Sequence, residues 1–229
     1  MEHREVQNIA KNTIAYLRTV IAPGMNLREL RRLCEAYMLS HGAASFWYWD
    51  IGAFVFAGDE TAVSVSGRDY RTSDRLIAEN DIITVDLSPQ HGDIWGDYAR
   101  TIIMEDGAVV PQTGQIQNPE WRRGLQTEEM LHRELTAFAT PQTTFEALWR
   151  HINRVIAAHG FRNLDFHGNL GHSIARRRED RIYMEQGNLT PLSAVEYFTF
   201  EPHIGLPGSQ YGFKLENIYY FTDGKLTEL

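Results

Sequence analysis

The sequence predicts an α+β fold of helix pairs alternating with strands, from an internal repeat, the helical periodicity within it, and the β-branched segments that follow each copy. Residues Pro23–Gly42 align without a gap to Pro141–Gly160, placing Leu27 over Phe145, Leu30 over Leu148 and Arg32 over Arg150. Both copies carry apolar residues at helical spacing and close on a His-Gly pair, His41-Gly42 and His159-Gly160, where glycine commonly stops a helix. A further helix-like stretch precedes each copy, at about residues 4–20 and 119–138. Two halves are therefore expected, about 4–105 and 119–222, each two helices followed by strands. Two amphipathic helices matching by chance would look the same. A chain of 229 residues with no Pro-, Gly- or Ser-rich divider is read as one domain over 1–229.

In the first half, Asp81–Leu87 (DIITVDL) is β-branched and apolar and breaks at Ser88-Pro89 and Gly92, as a strand followed by a turn should. Gly96–Ile103 reads as the return strand. The hairpin carries Asp86 on one strand and Asp97 on the other, and if it closes, both carboxylates can converge on one interior point. Two like charges there repel unless a cation lies between them, which makes a metal the economical reading. Two unrelated surface aspartates beside a turn fit the same residues.

Three fragments of the second half add to the pair. Gly171-His172-Ser173-Ile174 follows a strand-like Asn163–Phe166 and a glycine-bearing turn, presenting an imidazole at a strand end. Glu201 closes Val195–Pro202, and Glu216 sits in Phe213–Phe221, each one acid within an apolar, aromatic strand. Desolvating a carboxylate costs several kcal/mol even after relaxation, so such acids call for a partner or a metal. Asp86, Asp97, His172, Glu201 and Glu216 give four carboxylates and one imidazole. That set suits Mn, Fe, Co or Zn, with oxygens enough for two ions.

In order and context these fragments, VDLS, GDYARTI, LGHSI, FTFEP and LENIYYFT, resemble the superfamily of methionine aminopeptidase, aminopeptidase P and creatinase, the pita-bread metallohydrolases. The resemblance covers essentially the whole chain. It implies a pita-bread fold, two pseudo-twofold-related halves of helices packed on a curved, mostly antiparallel sheet, with two divalent ions between the halves. Asp97 and Glu216 would bridge the ions, Asp86 would complete the first, and His172 with Glu201 the second. A bridging water would be the nucleophile, with Glu201 shuttling its proton. The substrate class implied is a short peptide or a small amide or amidine, and a homodimer is expected.

Composition bounds the partners. A net charge of −8 and a pI near 5.6 argue against nucleic-acid binding, which relies on cationic surface. No apolar run of membrane-spanning length and no signal-peptide pattern are visible, so no membrane association and a cytoplasmic setting are expected. The single cysteine, Cys34, reads as a packed helix residue, and one cysteine permits no disulfide within the chain.

The sequence departs from the superfamily at two positions. Its peptidases usually carry a histidine about twenty residues before the first metal aspartate and another about seven after the metal histidine. Ser66 and Glu179 stand near those places. A serine is no cationic donor, and a glutamate has the opposite charge to a protonated imidazole. His167 and His203 lie near enough in sequence to the expected ligands to compensate, or serve structure alone. His41 and His159 are explained by helix C-termini.

Arg176-Arg177-Arg178 just beyond the metal histidine is either a solvated face or, through Arg176 or Arg178, a site for a substrate carboxylate or phosphate. Phe46-Trp47-Tyr48-Trp49 either fills the core or walls a pocket through Trp47 and Trp49. Three functions follow in order: a dinuclear hydrolase; a non-peptidase metalloenzyme on a small, possibly anionic substrate (a creatinase-like hydrolase, a lyase of a sulfonium compound, or iron-dependent redox chemistry); and a binding module. The last ranks lowest because such relatives usually lose ligands that this chain keeps.

Overall fold

The computed structural model describes residues 1–229. The chain runs α1 (His3–Val20), α2 (Leu27–Ser40), β1 (Ser45–Phe46), β2 (Ala53–Ala57), β3 (Asp81–Leu87), β4 (Pro89–His91), β5 (Ile94–Trp95), β6 (Tyr98–Glu105) and β7 (Ala108–Val109). It continues through α3 (Pro119–Phe138), α4 (Phe145–Ala158), β8 (Arg162–Asn163), β9 (Phe198–Phe200), β10 (His203–Gly205), β11 (Phe213–Lys214), β12 (Asn217–Thr222) and β13 (Lys225–Glu228). It is an α+β fold of helices on antiparallel sheets.

Both 14-residue helices, α2 and α4, begin behind a side-chain cap: Asn26 accepts from the Arg28 amide, and Thr144 from the Ala147 amide. Both end at a histidine whose Nδ1 donates to a carbonyl four residues back, His41 to Tyr37 and His159 to Val155. Gly42 and Gly160 follow with φ of 110° and 77°. Each imidazole thus adds a second donor to a last-turn carbonyl that already accepts the histidine's own amide.

The central sheet has the order β2-β3-β6-β7. Its two long strands are buried on both faces, so DIITVDL shows no polar alternation. Ile83, Val85 and Leu87 of β3, with Ile102 and Met104 of β6, join the core beneath α1 and α2. Ile82 and Ile103 turn the other way, into the core beneath α3 and α4. Thr84 and Asp86 share that second face by alternation, which aims Asp86 at the other half of the molecule.

The C-terminal half supplies two short sheets, β11-β10-β8 and β13-β12-β9. The strands expected there are shorter. The Asn163–Phe166 segment leaves the sheet after Asn163, because the Asn163 side chain caps the Asp165 amide and Asp165 caps those of His167 and Asn169. The 213–221 segment breaks at Leu215-Glu216, where Glu216 donates its amide to Ala99 and Leu215 bridges Arg100. That break stitches the second half onto β6. No helix is long and apolar enough to cross a membrane.

Candidate metal centre and its cleft

Convergence of the two aspartates follows from register. Asp86 pairs with Ala99 across β3 and β6. Asp97 lies two residues before Ala99 and so faces the same side, diagonal to Asp86. Glu216 arrives from the break beside Ala99, and the oxygens of Asp86, Asp97 and Glu216 come within 4.8 Å of one another. His172 Nε2 lies 3.5 Å from Asp97 Oδ2 and 3.6 Å from Glu201 Oε1. All five residues expected to hold metal therefore meet between the halves.

Local structure fixes each candidate ligand. Leu170 pairs with Glu201 and His172 with Thr199 through the backbone, while the Thr199 hydroxyl accepts the His172 amide and reaches Glu201 Oε1 at 3.3 Å. Gly171, at φ 145°, permits this approach, since a Cβ there would collide with the Thr199 carbonyl. The His172 Nδ1–H donates to the Ser173 carbonyl at 3.0 Å, leaving Nε2 free as a ligand. Burial first, then Arg181, lowers the His172 pKa to about 3, so the ring is neutral. On α3, His132 joins the Leu215 carbonyl and the Tyr219 hydroxyl, positioning the segment that carries Glu216.

The donor set is short of positive charge. Asp97 Oδ2 and both Glu216 oxygens are buried with no hydrogen-bond partner. Burial, then Asp86 and Glu201, push Asp97 well above the ordinary carboxylate range; burial, then Asp97 and Glu201, do the same to Glu216. Orphaned acidic oxygens beside a neutral imidazole fit a divalent cation.

Lys214, which the sequence reading did not single out, brings one charge to this cluster. Its ammonium pairs with Asp86, lies 3.0 Å from Glu201 and 3.9 Å from Glu216. Burial works against the charge, but these carboxylates together hold its pKa well above the usual lysine value. The signal was its spacing: two residues before Glu216 on an extended segment is the same face.

The centre floors a cleft of about 520 Å³. Trp47, Trp49, Ser66, His167, Arg178, Glu179 and His203 all line it; exposed Arg176 does not. Trp47 donates to the Gly96 carbonyl, stacks on Trp95 and sets its ring 5.4 Å from that of His172. Trp49 and Asp50 have φ of 57° and 59°, a strained reversal that brings the second indole to the wall. His203 is buried, donates Nε2–H to the Thr61 carbonyl, and is held neutral with a pKa of about 4 by burial. His167 is exposed on the rim. Cys34 is packed in the core beneath α1 and α2, its thiol buried and pushed up to about 12 by burial.

A family model for metallopeptidase family M24 matches residues 2–223. The chain belongs to this family. No curated protein matches the sequence. Among solved structures, it superposes on an X-Pro aminopeptidase from Thermotoga maritima with a TM-score of 0.80 at 19% identity, covering 98% of this chain and 58% of that one. A prolidase from Pyrococcus furiosus gives 0.79 at 20% identity, covering 98% and 61%. A dipeptidase from Mycobacterium ulcerans gives 0.78 at 19%, covering 98% and 55%. The M24 chain described here thus has the pita-bread fold and spans little more than half the length of these proteins.

Proposed function

We propose that this M24 protein is a metal-dependent hydrolase that cleaves a C–N bond in a short peptide or small amide. The observation carrying the reading is the meeting of four carboxylates, three of their oxygens buried and unpartnered, with a neutral imidazole at the floor of one cleft. Asp86, Asp97 and Glu216 would hold one ion, and Asp97, His172, Glu201 and Glu216 a second, with Mn, Fe, Co and Zn all compatible. Bound there, such ions acidify water and offset charge developing on a substrate oxygen.

The chain's own groups supply the rest. Glu201, steadied by Thr199 and Lys214, carries a proton from the attacking water toward the leaving nitrogen. His203, donating through Nε2, keeps Nδ1 as an acceptor at the wall. Trp47 and Trp49 keep water off one side of the cleft. The whole is read as one domain of two repeats, acting in the cytoplasm as a homodimer.

A second reading, a non-peptidase metalloenzyme on a small substrate, draws support from Ser66 and Glu179, which line the cleft where the superfamily's peptidases usually carry histidines. Elemental analysis of protein purified without added metal, with turnover of a panel of short peptides and small amides, tests both. Asp97→Ala and Glu216→Ala are each expected to lose metal and turnover together; retained activity in either overturns the hydrolase reading. Bound metal without turnover of either the peptides or the amides selects the second.

A further inference from the structure

A second cavity, of about 480 Å³, lies between α1 and α3 and shares only Lys214 with the cleft. Both halves of the chain wall it: Arg18 and Arg100 come from the first, and Leu125, Glu128 and Leu215 from the second. Glu128 is 1% exposed, and neither of its carboxyl oxygens has a hydrogen-bond partner. A buried acceptor left in that state bears its full desolvation cost. Its neighbour Glu129 differs, since it accepts from the Thr113 hydroxyl. Burial pushes Glu128 well above the ordinary carboxylate range, against the pull of Lys214 and Arg100.

Arg18 has the complementary deficit. It stands in the last turn of α1, half-buried, and its guanidinium makes no hydrogen bond and no ion pair. Arg100, by contrast, is committed: Nη1 donates to the Ala99 and Glu216 carbonyls and Nη2 to Asn217 Oδ1, each at 2.7 Å. The cavity thus offers two acceptors without a donor and one planar donor without an acceptor. A bare cation there would meet Arg18, Arg100 and Lys214, and a bare anion would leave Glu128 unpaired. A molecule carrying both an ammonium and a carboxylate answers both deficits. Leu125, Leu215 and Pro111 line the same space and suit an aliphatic group.

We propose that this cavity is a ligand site separate from the cleft, taking a free amino acid with an aliphatic side chain, whose ammonium Glu128 receives and whose carboxylate Arg18 holds. The site stands independently of the hydrolase reading, because no candidate metal ligand lines it.

The test compares three probes of one skeleton by calorimetry on the full chain: L-leucine, L-leucinamide, which keeps only the ammonium, and 4-methylpentanoate, which keeps only the carboxylate. Each is titrated into metal-loaded wild type and into Asp97→Ala, in which the cleft no longer offers an intact metal centre. L-Leucine is expected to bind both proteins, and in Asp97→Ala to bind about tenfold or more tighter than either single-charge probe. Glu128→Gln keeps the shape of the side chain and removes its charge. That change and Arg18→Gln are each expected to weaken leucine about tenfold, while Arg150→Gln, which removes an exposed charge on α4, leaves it unchanged. Binding lost in Asp97→Ala and kept in Glu128→Gln places leucine in the cleft and overturns the site. A single-charge probe that binds Asp97→Ala as tightly as leucine, or the absence of leucine binding, also overturns it. Metal content is read separately: a wild type that binds leucine through Glu128 and Arg18 but holds no metal sinks the hydrolase reading and leaves this site standing.

Discussion

Replacing Lys214 by methionine isolates the charge problem at the metal centre. Methionine keeps most of the aliphatic stem and removes the ammonium. In metal-free protein the ammonium is shared by Asp86, Glu201 and Glu216, and its side chain is 18% exposed. Removing one partner of a buried ion pair costs about 3–5 kcal/mol, and the residual exposure of Lys214 and of Asp86, at 24%, places this case near 3. For a chain of this size each kcal/mol moves Tm by about 2–4 °C, so Lys214→Met should melt roughly 6–12 °C below wild type in EDTA. A divalent ion at a hundred times its Kd stabilises any form that binds it by about 2.7 kcal/mol. The variant should gain more than wild type, because no tethered cation competes for Asp86 and Glu201. Thermal scans in EDTA and in excess Mn²⁺ read both effects. A Tm deficit of the same size in both conditions would refute the argument, showing that Lys214 contributes packing rather than charge compensation.

Two further perturbations follow from the same architecture. Gly171→Ala sets a methyl against the Thr199 carbonyl at a φ that disfavours alanine, and should lower stability by about 2 kcal/mol or more and weaken metal binding in titration; an unshifted metal affinity would remove the claim that this contact sets His172 against Glu201. Burial holds the His132 pKa at about 3, below its unfolded value near 6.5, so the unfolded chain takes up a proton that the fold refuses and stability is lost as pH falls from 6.5 toward 3. His132→Gln should flatten that acid limb by about 1.4 kcal/mol per pH unit, measured as denaturant-derived stability between pH 6.5 and 4.5, and parallel limbs in the two proteins would show that His132 is not the titrating group.

The acids of the candidate metal centre were legible in the sequence because desolvated carboxylates announce themselves: Glu201 and Glu216 sit in runs of aromatic residues that give a carboxylate no partner. The facing of Asp86 and Asp97 was not legible. They stand eleven positions apart, but β4 and β5 intervene, and only the Asp86–Ala99 pairing fixes the register. The arginine run shows the same limit. Three consecutive arginines cannot share a face, and which ones turn inward depends on a one-turn 3₁₀ helix that charge alone does not reveal.

Lys214 was overlooked for a different reason, and it ties the fold to the chemistry. A search for acids finds Glu216 and passes its neighbour two residues upstream, yet alternation puts both on the face that meets β6. The break at Leu215-Glu216 delivers them there, since Glu216 pairs with Ala99 while Lys214 exchanges hydrogen bonds with the Thr101 hydroxyl. Ala99 and Thr101 alternate on the same face of β6, and Asp86 and Thr84 oppose them on β3. One face of two central strands thus receives the second half of the chain and, in the same contacts, assembles the acids and the cation. The centre therefore draws its residues from both halves, and an ion bound there would stabilise the joint between them.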